Sequence, residues 1–203
     1  MKTKLIALLM LLLPTWAFAF TPVEGRDYRV LSNPAAATDK SKIEVREFFW
    51  YGCPHCYHLE PHIKDWLKTA PEGVNFVRTP AALNQVWEAS ARGYYAAELS
   101  GVLEKSHDAL FDAVQVRKQR LFDQNSLAKF YSQFGVKQAS FNSLYNSFAV
   151  NAKVAQSRNL AVRYQLTGVP AMVVNGKYVV SGSDARTMQV VQALVEREKK
   201  ALR

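Results

Sequence analysis

Apolar positions along this 203-residue chain fall into three regimes: short runs, a long stretch at helical spacing, then short runs again. Ile43 to Trp50 reads as a strand entering the core, with Ile43, Val45, Glu47 and Phe49 on one face. Leu59, Ile63, Trp66 and Leu67 recur at spacings of four, three and one, which predicts a helix from Cys56 to Lys68. Pro71-Glu72-Gly73 is a turn, Val74 to Thr79 predicts a second strand, and Pro80 breaks it. From Asn84 to about Tyr164 the periodicity is helical. Leu103, Leu110 and Val114 mark one helix. Leu127, Phe130, Tyr131 and Phe134 mark another, opened by Asn125-Ser126 and closed by Gly135. Phe141, Leu144, Tyr145 and Phe148 repeat that spacing behind a Ser140 cap. Strand character returns after Gly168, where Ala171 to Val174 and Lys177 to Val180 flank the hairpin signal Asn175-Gly176. Ser183-Asp184 opens a final helix through Met188, Val191, Leu194 and Val195. Phe20 to Lys40 is irregular, apart from a short strand at Tyr28 to Leu31.

The layout is strand-helix-strand, a block of helices, then a hairpin and a helix. The two outer segments together make one α/β layer interrupted by a helical insertion. The division expected is 20–82 with 165–203 for the layer and 83–164 for the insertion.

The first residues read as an export signal. Lys2 and Lys4 precede an apolar core from Leu5 to Leu13, and Ala17-Phe18-Ala19 is an A-x-A-like cleavage site. The expected signal is residues 1–19, cut between Ala19 and Phe20. The apolar core is too short for a membrane span, which needs roughly 20 residues. Apolar residues make up 49% of the chain, enough for a core held by packing. The formal charge is +9. Part of the excess sits in Arg117-Lys118-Gln119-Arg120 and in the tail from Arg197 to Arg203. Solvated helix faces and helix C-terminal charge account for it better than attraction to anionic surfaces or acidic partners, and no basic-aromatic nucleic-acid motif accompanies it.

The two cysteines change the picture most. Both lie in one loop, Cys53-Pro54-His55-Cys56, directly after Phe48-Phe49-Trp50-Tyr51-Gly52. A disulfide closing so short a loop removes little unfolded-state entropy, so the pair is poorly placed as scaffolding. A dithiol at a strand-to-helix junction is a redox device. Cys53 at the helix start meets free backbone N–H groups and the positive end of the helix dipole. Those groups stabilise a thiolate, and His55 adds a further donor or charge, so the Cys53 pKa is expected below the free value of about 8.5. Each pH unit of that depression is worth about 1.36 kcal/mol in favour of the reduced form. Cys53 is expected exposed and Cys56 shielded beneath the helix. A c-type haem site fails because Tyr57, not histidine, follows Cys56. A zinc site using Cys53, Cys56, His58 and His62 fails because those side chains diverge around one helix. No metal ligand is assigned. Glu47 shares its strand face with apolar residues, so its pKa is expected to be raised.

Glu47-Phe48-Phe49, Cys53-Pro54-His55-Cys56-Tyr57, Gly168-Val169-Pro170-Ala171-Met172 and Asn175-Gly176-Lys177-Tyr178 together resemble the DsbA family of bacterial thiol:disulfide interchange proteins. The resemblance runs in order over nearly the whole chain after the signal. It implies a thioredoxin-like fold with an inserted all-helical domain. It implies catalytic residues Cys53 and Cys56 joined as a redox-active disulfide, tuned by Pro54, His55 and Glu47. It implies a cis Pro170 that, with Val169, meets the bound substrate; a proline merely starting an edge strand is the other reading. Glu47 then lies beneath the dithiol as a proton acceptor and donor, and Arg78 matches a basic partner. An exposed strand-end ion pair is the competing account of those two. A depressed cysteine pKa is a known property of this family.

The expected activity is that of a periplasmic dithiol oxidase. It gives its disulfide to newly secreted proteins with free thiols and is restored by a DsbB-type membrane oxidase. No cofactor beyond the cysteine pair, no nucleic acid and a monomeric state are expected. A reductase or isomerase of the same fold is the first alternative, although Phe20 to Ile43 is too short to supply the added dimerisation domain such enzymes often carry. A non-catalytic chaperone-like binding module is the second.

Overall fold

A computed structural model describes residues 20–34 and 41–201. The signal assigned to 1–19, including Ala19 at the cut, lies outside the described residues. Among the described residues no helix is long and apolar enough to cross a membrane.

Among the described residues five strands form one sheet in the order β1-β5-β4-β2-β3. They are β1 (Arg29–Val30), β2 (Ile43–Phe49), β3 (Val74–Pro80), β4 (Ala171–Val174) and β5 (Tyr178–Ser181). β2 pairs parallel with β3, and the other pairings are antiparallel. The β2–β3 crossover is α1 (Pro54–Thr69), as a parallel pair requires. Between β3 and β4 lie five helices: α2 (Gln85–Leu99), α3 (Leu103–Gln115), α4 (Gln124–Ser132), α5 (Gln138–Tyr145) and α6 (Phe148–Arg163). α7 (Ala185–Ala201) ends the described chain. The architecture is α/β, a thioredoxin-like fold carrying a helical insertion.

β2 is buried on both faces, because helices cover the sheet on each side. Ile43 and Val45 pack with Leu59, Ile63 and Trp66 of α1 and with Val191 and Leu194 of α7. Phe48, on the opposite face, packs with Ala161 and Tyr164 at the end of α6. Phe49 belongs to the third cluster, where Tyr51, Cys53 and Cys56 join the cores of α2 to α5. The dithiol therefore sits where the sheet layer meets the helical block.

The hairpin forms at Asn175-Gly176, both residues having positive φ (50° and 63°), and Lys177 N–H donates to the Val174 carbonyl at 3.0 Å. Several expectations need correction. Phe148 does not continue the face of Phe141 and Tyr145. Ser147 accepts from Val150 N–H and starts a new helix, leaving Phe148 87% exposed. Ser140 lies inside α5 rather than capping it, and Asp123, not Asn125-Ser126, caps α4 through a reciprocal box with Ser126. Leu67 points to solvent, since α1 buries Leu59, Ile63 and Trp66 on a narrower stripe. Arg117 to Arg120 form an exposed loop between α3 and α4, not a helix face.

Candidate active site

The site starts from the way β2 ends. Trp50-Tyr51-Gly52 leaves the strand and turns, with Cys53 N–H donating to the Trp50 carbonyl at 2.9 Å. Cys53 is the N-cap of α1 and Pro54 takes the first helical position, where its missing N–H is no loss. The turn is held from the helical block. Gln115 of α3 donates to the Tyr51 carbonyl at 2.7 Å, and Trp50 Nε1–H donates to Ser90 of α2 at 3.2 Å. The Trp50 ring stacks on Trp87, with centroids 5.1 Å apart. It also lies so close over Gly52 that a Cβ there would meet ring carbons at 2.3 Å.

Both cysteines are free thiols in this structure. Cys56 is fully buried on the inner face of α1 and Cys53 is 9% exposed. Cys53 was expected exposed. It is instead nearly covered, but it keeps the only solvent opening of the pair. The two thiols have opposite electrostatics. Cys53 accepts a hydrogen bond from Cys56 and further ones from the Cys56 and His55 backbone N–H groups, with the His55 side chain adding charge. Together these outweigh partial burial and lower its pKa from 9.0 to about 6. Burial pushes the Cys56 thiol far up, reinforced by its hydrogen bond to Cys53, by the Cys53 charge and by Glu47. His55 is exposed, and its Nδ1 lies 3.5 Å from Ser183 Oγ.

Across the opening stands the Val169-Pro170 peptide bond, which is cis. The Cys53 thiol donates to the Val169 carbonyl at 3.4 Å. His55, Gly168, Val169, Pro170 and Ser183 line a hollow of about 420 Å³ beside it. Pro170 immediately precedes β4, which lies inside the sheet between β5 and β2. The edge-strand reading of this proline therefore does not hold.

Glu47 is wholly buried in the middle of β2. Among the described residues neither carboxylate oxygen has a hydrogen-bond partner. Arg78 Nε lies 3.3 Å from Oε2 as an ion pair without hydrogen-bond alignment. Burial, then the charge of Glu60, raise the Glu47 pKa to about 8 against the pull of Arg78. The exposed strand-end account of this pair is overturned: Arg78 has a side-chain exposure of 19% and Glu47 of 0%.

Two buried polar residues went unnoticed in the sequence. Glu60 of α1 accepts from Arg78 Nη2 at 2.9 Å, and its Oε1 lies 3.2 Å from His107 Nε2. His107 of α3 meets the Tyr51 hydroxyl through Nδ1 at 2.8 Å. Glu60 directly follows Leu59 on the helix, so its spacing alone could have placed it at the edge of the apolar stripe. His107 carried no signal beyond its place between Leu103 and Leu110. Of the four histidines, His58 is exposed and His62 half-buried, both away from the thiols' inner face. Among the described residues Glu60, His107 and Asp108 bring potential ligand atoms within 4.8 Å of one another. Glu60 is already paired with Arg78 at 2.9 Å and Asp108 with Lys64 at 2.6 Å.

The arrangement, one low and one high thiol at a helix start opposite a cis proline, is built for thiol–disulfide exchange. A model of the DSBA-like thioredoxin domain matches residues 68–194. The thiol:disulfide interchange protein DsbA of Pseudomonas syringae is 42% identical over 190 residues, covering 91% of this chain and 89% of its own. That of Azotobacter vinelandii is 38% identical, covering 93% and 92%. The crystal structure of Pseudomonas aeruginosa DsbA superposes with a TM-score of 0.81 at 39% identity, over 87% of this chain and 94% of that one. Xylella fastidiosa DsbA gives 0.83 at 34% identity, over 88% and 98%. These relatives span the dithiol, the insertion and the proline loop together, and the chain belongs to the DsbA family of thiol:disulfide interchange proteins.

Proposed function

We propose that this chain works in the periplasm as a dithiol oxidase, giving a Cys53–Cys56 disulfide to newly secreted proteins. The asymmetry of the two thiols carries the reading. A client thiolate attacks the Cys53 sulfur, the only one with an opening. The Cys53–Cys56 bond breaks, and Cys56 leaves as a thiolate that takes a proton from Glu47. A second client thiolate then attacks the client sulfur of the mixed disulfide. The client disulfide forms, Cys53 leaves as a thiolate, and two electrons have passed from client to enzyme.

Direction follows from the leaving group. A thiolate stabilised by the helix start and by Cys56 leaves readily and favours the reduced enzyme, so the disulfide is a strong oxidant. Val169 and Pro170 border the hollow in which the client chain would lie, and Pro54 and His55 shape the helix start that holds the thiolate. Re-oxidation runs the steps backwards on a membrane oxidase of the DsbB type. Residues 1–19 direct export and are cut between Ala19 and Phe20. Residues 20–82 with 165–203 form the redox unit and 83–164 the insertion. The enzyme is a monomer and its redox group is the cysteine pair.

The test is oxidation of a reduced, unfolded client by the oxidised enzyme. Cys53→Ala is expected to abolish it. Cys56→Ala, its Cys53 first loaded as a mixed disulfide with glutathione, is expected to exchange glutathione for a client thiol and to accumulate client mixed disulfides on Cys53. Client oxidation by Cys53→Ala would make the dithiol incidental and favour a binding module.

A further inference from the structure

Four elements send one polar side chain each into the seam between sheet and insertion: Tyr51 after β2, Glu60 on α1, Arg78 on β3 and His107 on α3. Tyr51 is 1% exposed, Glu60 4% and His107 7%. His107 joins two of them: Nδ1 meets the Tyr51 hydroxyl at 2.8 Å, and Nε2 meets Glu60 Oε1 at 3.2 Å. Glu60 then accepts from Arg78 through both oxygens, at 2.9 and 3.4 Å. One guanidinium thus faces two buried carboxylates. Glu60 takes its aligned bonds, and Glu47 is left with an unaligned approach at 3.3 Å.

We infer that His107 is a positioning residue for the dithiol: by holding Glu60 on Arg78, it keeps that guanidinium occupied and leaves Glu47 free to carry a proton for Cys56. This rests on the Glu47 role proposed above. When the enzyme disulfide is attacked, the Glu47 carboxyl gives its proton to the departing Cys56 thiolate and becomes a carboxylate. On re-oxidation Cys53 is first joined to the oxidase as a mixed disulfide; the carboxylate takes the proton back from Cys56, whose thiolate attacks the Cys53 sulfur and releases the oxidase thiolate.

The balance depends on Glu60 staying charged. Burial pushes Glu60 up, but the hydrogen bond from His107 and its charge, followed by the pairing with Arg78, bring it below its ordinary value. Without His107, Glu60 loses one of its two donors. The guanidinium is then released toward Glu47 and fixes it as a carboxylate, with no proton to give. Other titratable groups facing His107 are Tyr94 of α2, with rings 6.4 Å apart, and Asp108, the next residue on α3, which is paired with Lys64 of α1. Arg78, Tyr94 and His107 line an open cleft of about 700 Å³. This gives the network its own contact with solvent, away from the Val169 opening.

The experiment titrates the Glu47 side-chain carboxyl by NMR in reduced protein carrying carboxyl-labelled glutamate. The pH profile of client oxidation is measured alongside. In His107→Leu the Glu47 midpoint is expected to fall from about 8 by at least about one pH unit, and the oxidation profile to move with it. In His107→Gln, whose amide N–H can replace the ring N–H but not its charge, a smaller fall than in His107→Leu is expected. If His107→Leu does not fold, His107→Phe, which keeps a ring packed on Phe49 and Phe111 but has no N–H, is read in its place with the same fall expected. An unchanged Glu47 midpoint in the folded variant overturns the inference. Glu47→Gln separates the two layers. If it oxidises clients with the parent's pH profile, the Glu47 role itself fails and the inference falls with it. If it alters the profile and His107→Leu does not, only the inference fails.

Discussion

Glu47 and Arg78 stand directly opposite each other in the parallel β2–β3 pairing, yet their side chains meet at 3.3 Å without an aligned hydrogen bond. An ion pair built for stability would align its donors, and a buried carboxylate with no hydrogen bond is destabilising. Glu47 therefore opposes folding. Its raised folded pKa means that the folded protein must hold a proton which the unfolded chain releases. The penalty is absent below the unfolded value near 4.5, grows as pH rises, and is complete above about 8. Glu47→Leu is accordingly expected to stabilise the protein at pH values near 8 by on the order of 2 kcal/mol, while slowing client oxidation. Arg78 keeps Glu60 in the variant, so no cation is stranded. Denaturant midpoints at acid and mildly alkaline pH check this, with little difference expected in acid.

The two thiols should react very differently. With Cys53 lowered to about 6, its alkylation rate should rise about tenfold per pH unit below that value and level off above it. Cys56 should remain unlabelled in native protein. Mass mapping after short iodoacetamide pulses from about pH 4 to about pH 8 reads both. Labelling of Cys56 ahead of Cys53 would reverse the assignment.

Redox state should couple stability to pH with a definite sign. The Cys53 thiolate has a folded pKa below its unfolded one, so its stabilisation is present above the unfolded value and lost as pH falls through about 6. The buried Cys56 thiol has the opposite shift, so above the unfolded value of about 8.5 it begins to favour unfolding. The excess stability of the reduced form should therefore grow between those two limits. Denaturant midpoints of both forms across that range measure it. A gap that shrinks as pH rises from 6 would contradict the Cys53 shift.

Gly52→Ala should disturb the site without touching either sulfur. Its Cβ would meet the Trp50 ring at 2.3 Å, and that ring is already wedged against Trp87. Overpacking of this kind costs about 1–3 kcal/mol. A thermal or denaturant midpoint reads the loss, and indole emission should shift as Trp50 moves. Unchanged stability and emission would mean the ring is free to swing aside.

The dithiol and the hairpin were legible because their signals are local. Cys53-Pro54-His55-Cys56 and Asn175-Gly176 each state their geometry within four residues. The α1 stripe was legible too, since Leu59, Ile63 and Trp66 follow helical spacing. What the sequence hid is tertiary. Glu60 looks like an ordinary helix-surface acid until Arg78 and His107, from β3 and α3, close over it. Phe148 continued an apolar rhythm, but Ser147 could cap a new helix, and capping overrode the rhythm. The near-complete cover over Cys53 could not be read from a helical wheel, because Val169 arrives from 116 positions away. The family resemblance, not periodicity, pointed to the cis bond at Pro170.

The central claim is that this disulfide is given away, and its equilibrium with glutathione at neutral pH tests that most directly. Stabilisation of the Cys53 thiolate predicts a reduction potential more positive than about −200 mV, so that the enzyme is reduced by glutathione mixtures that leave ordinary structural disulfides intact. A potential at or below that value, toward thioredoxin's roughly −270 mV, would contradict the oxidase account and favour a reductase.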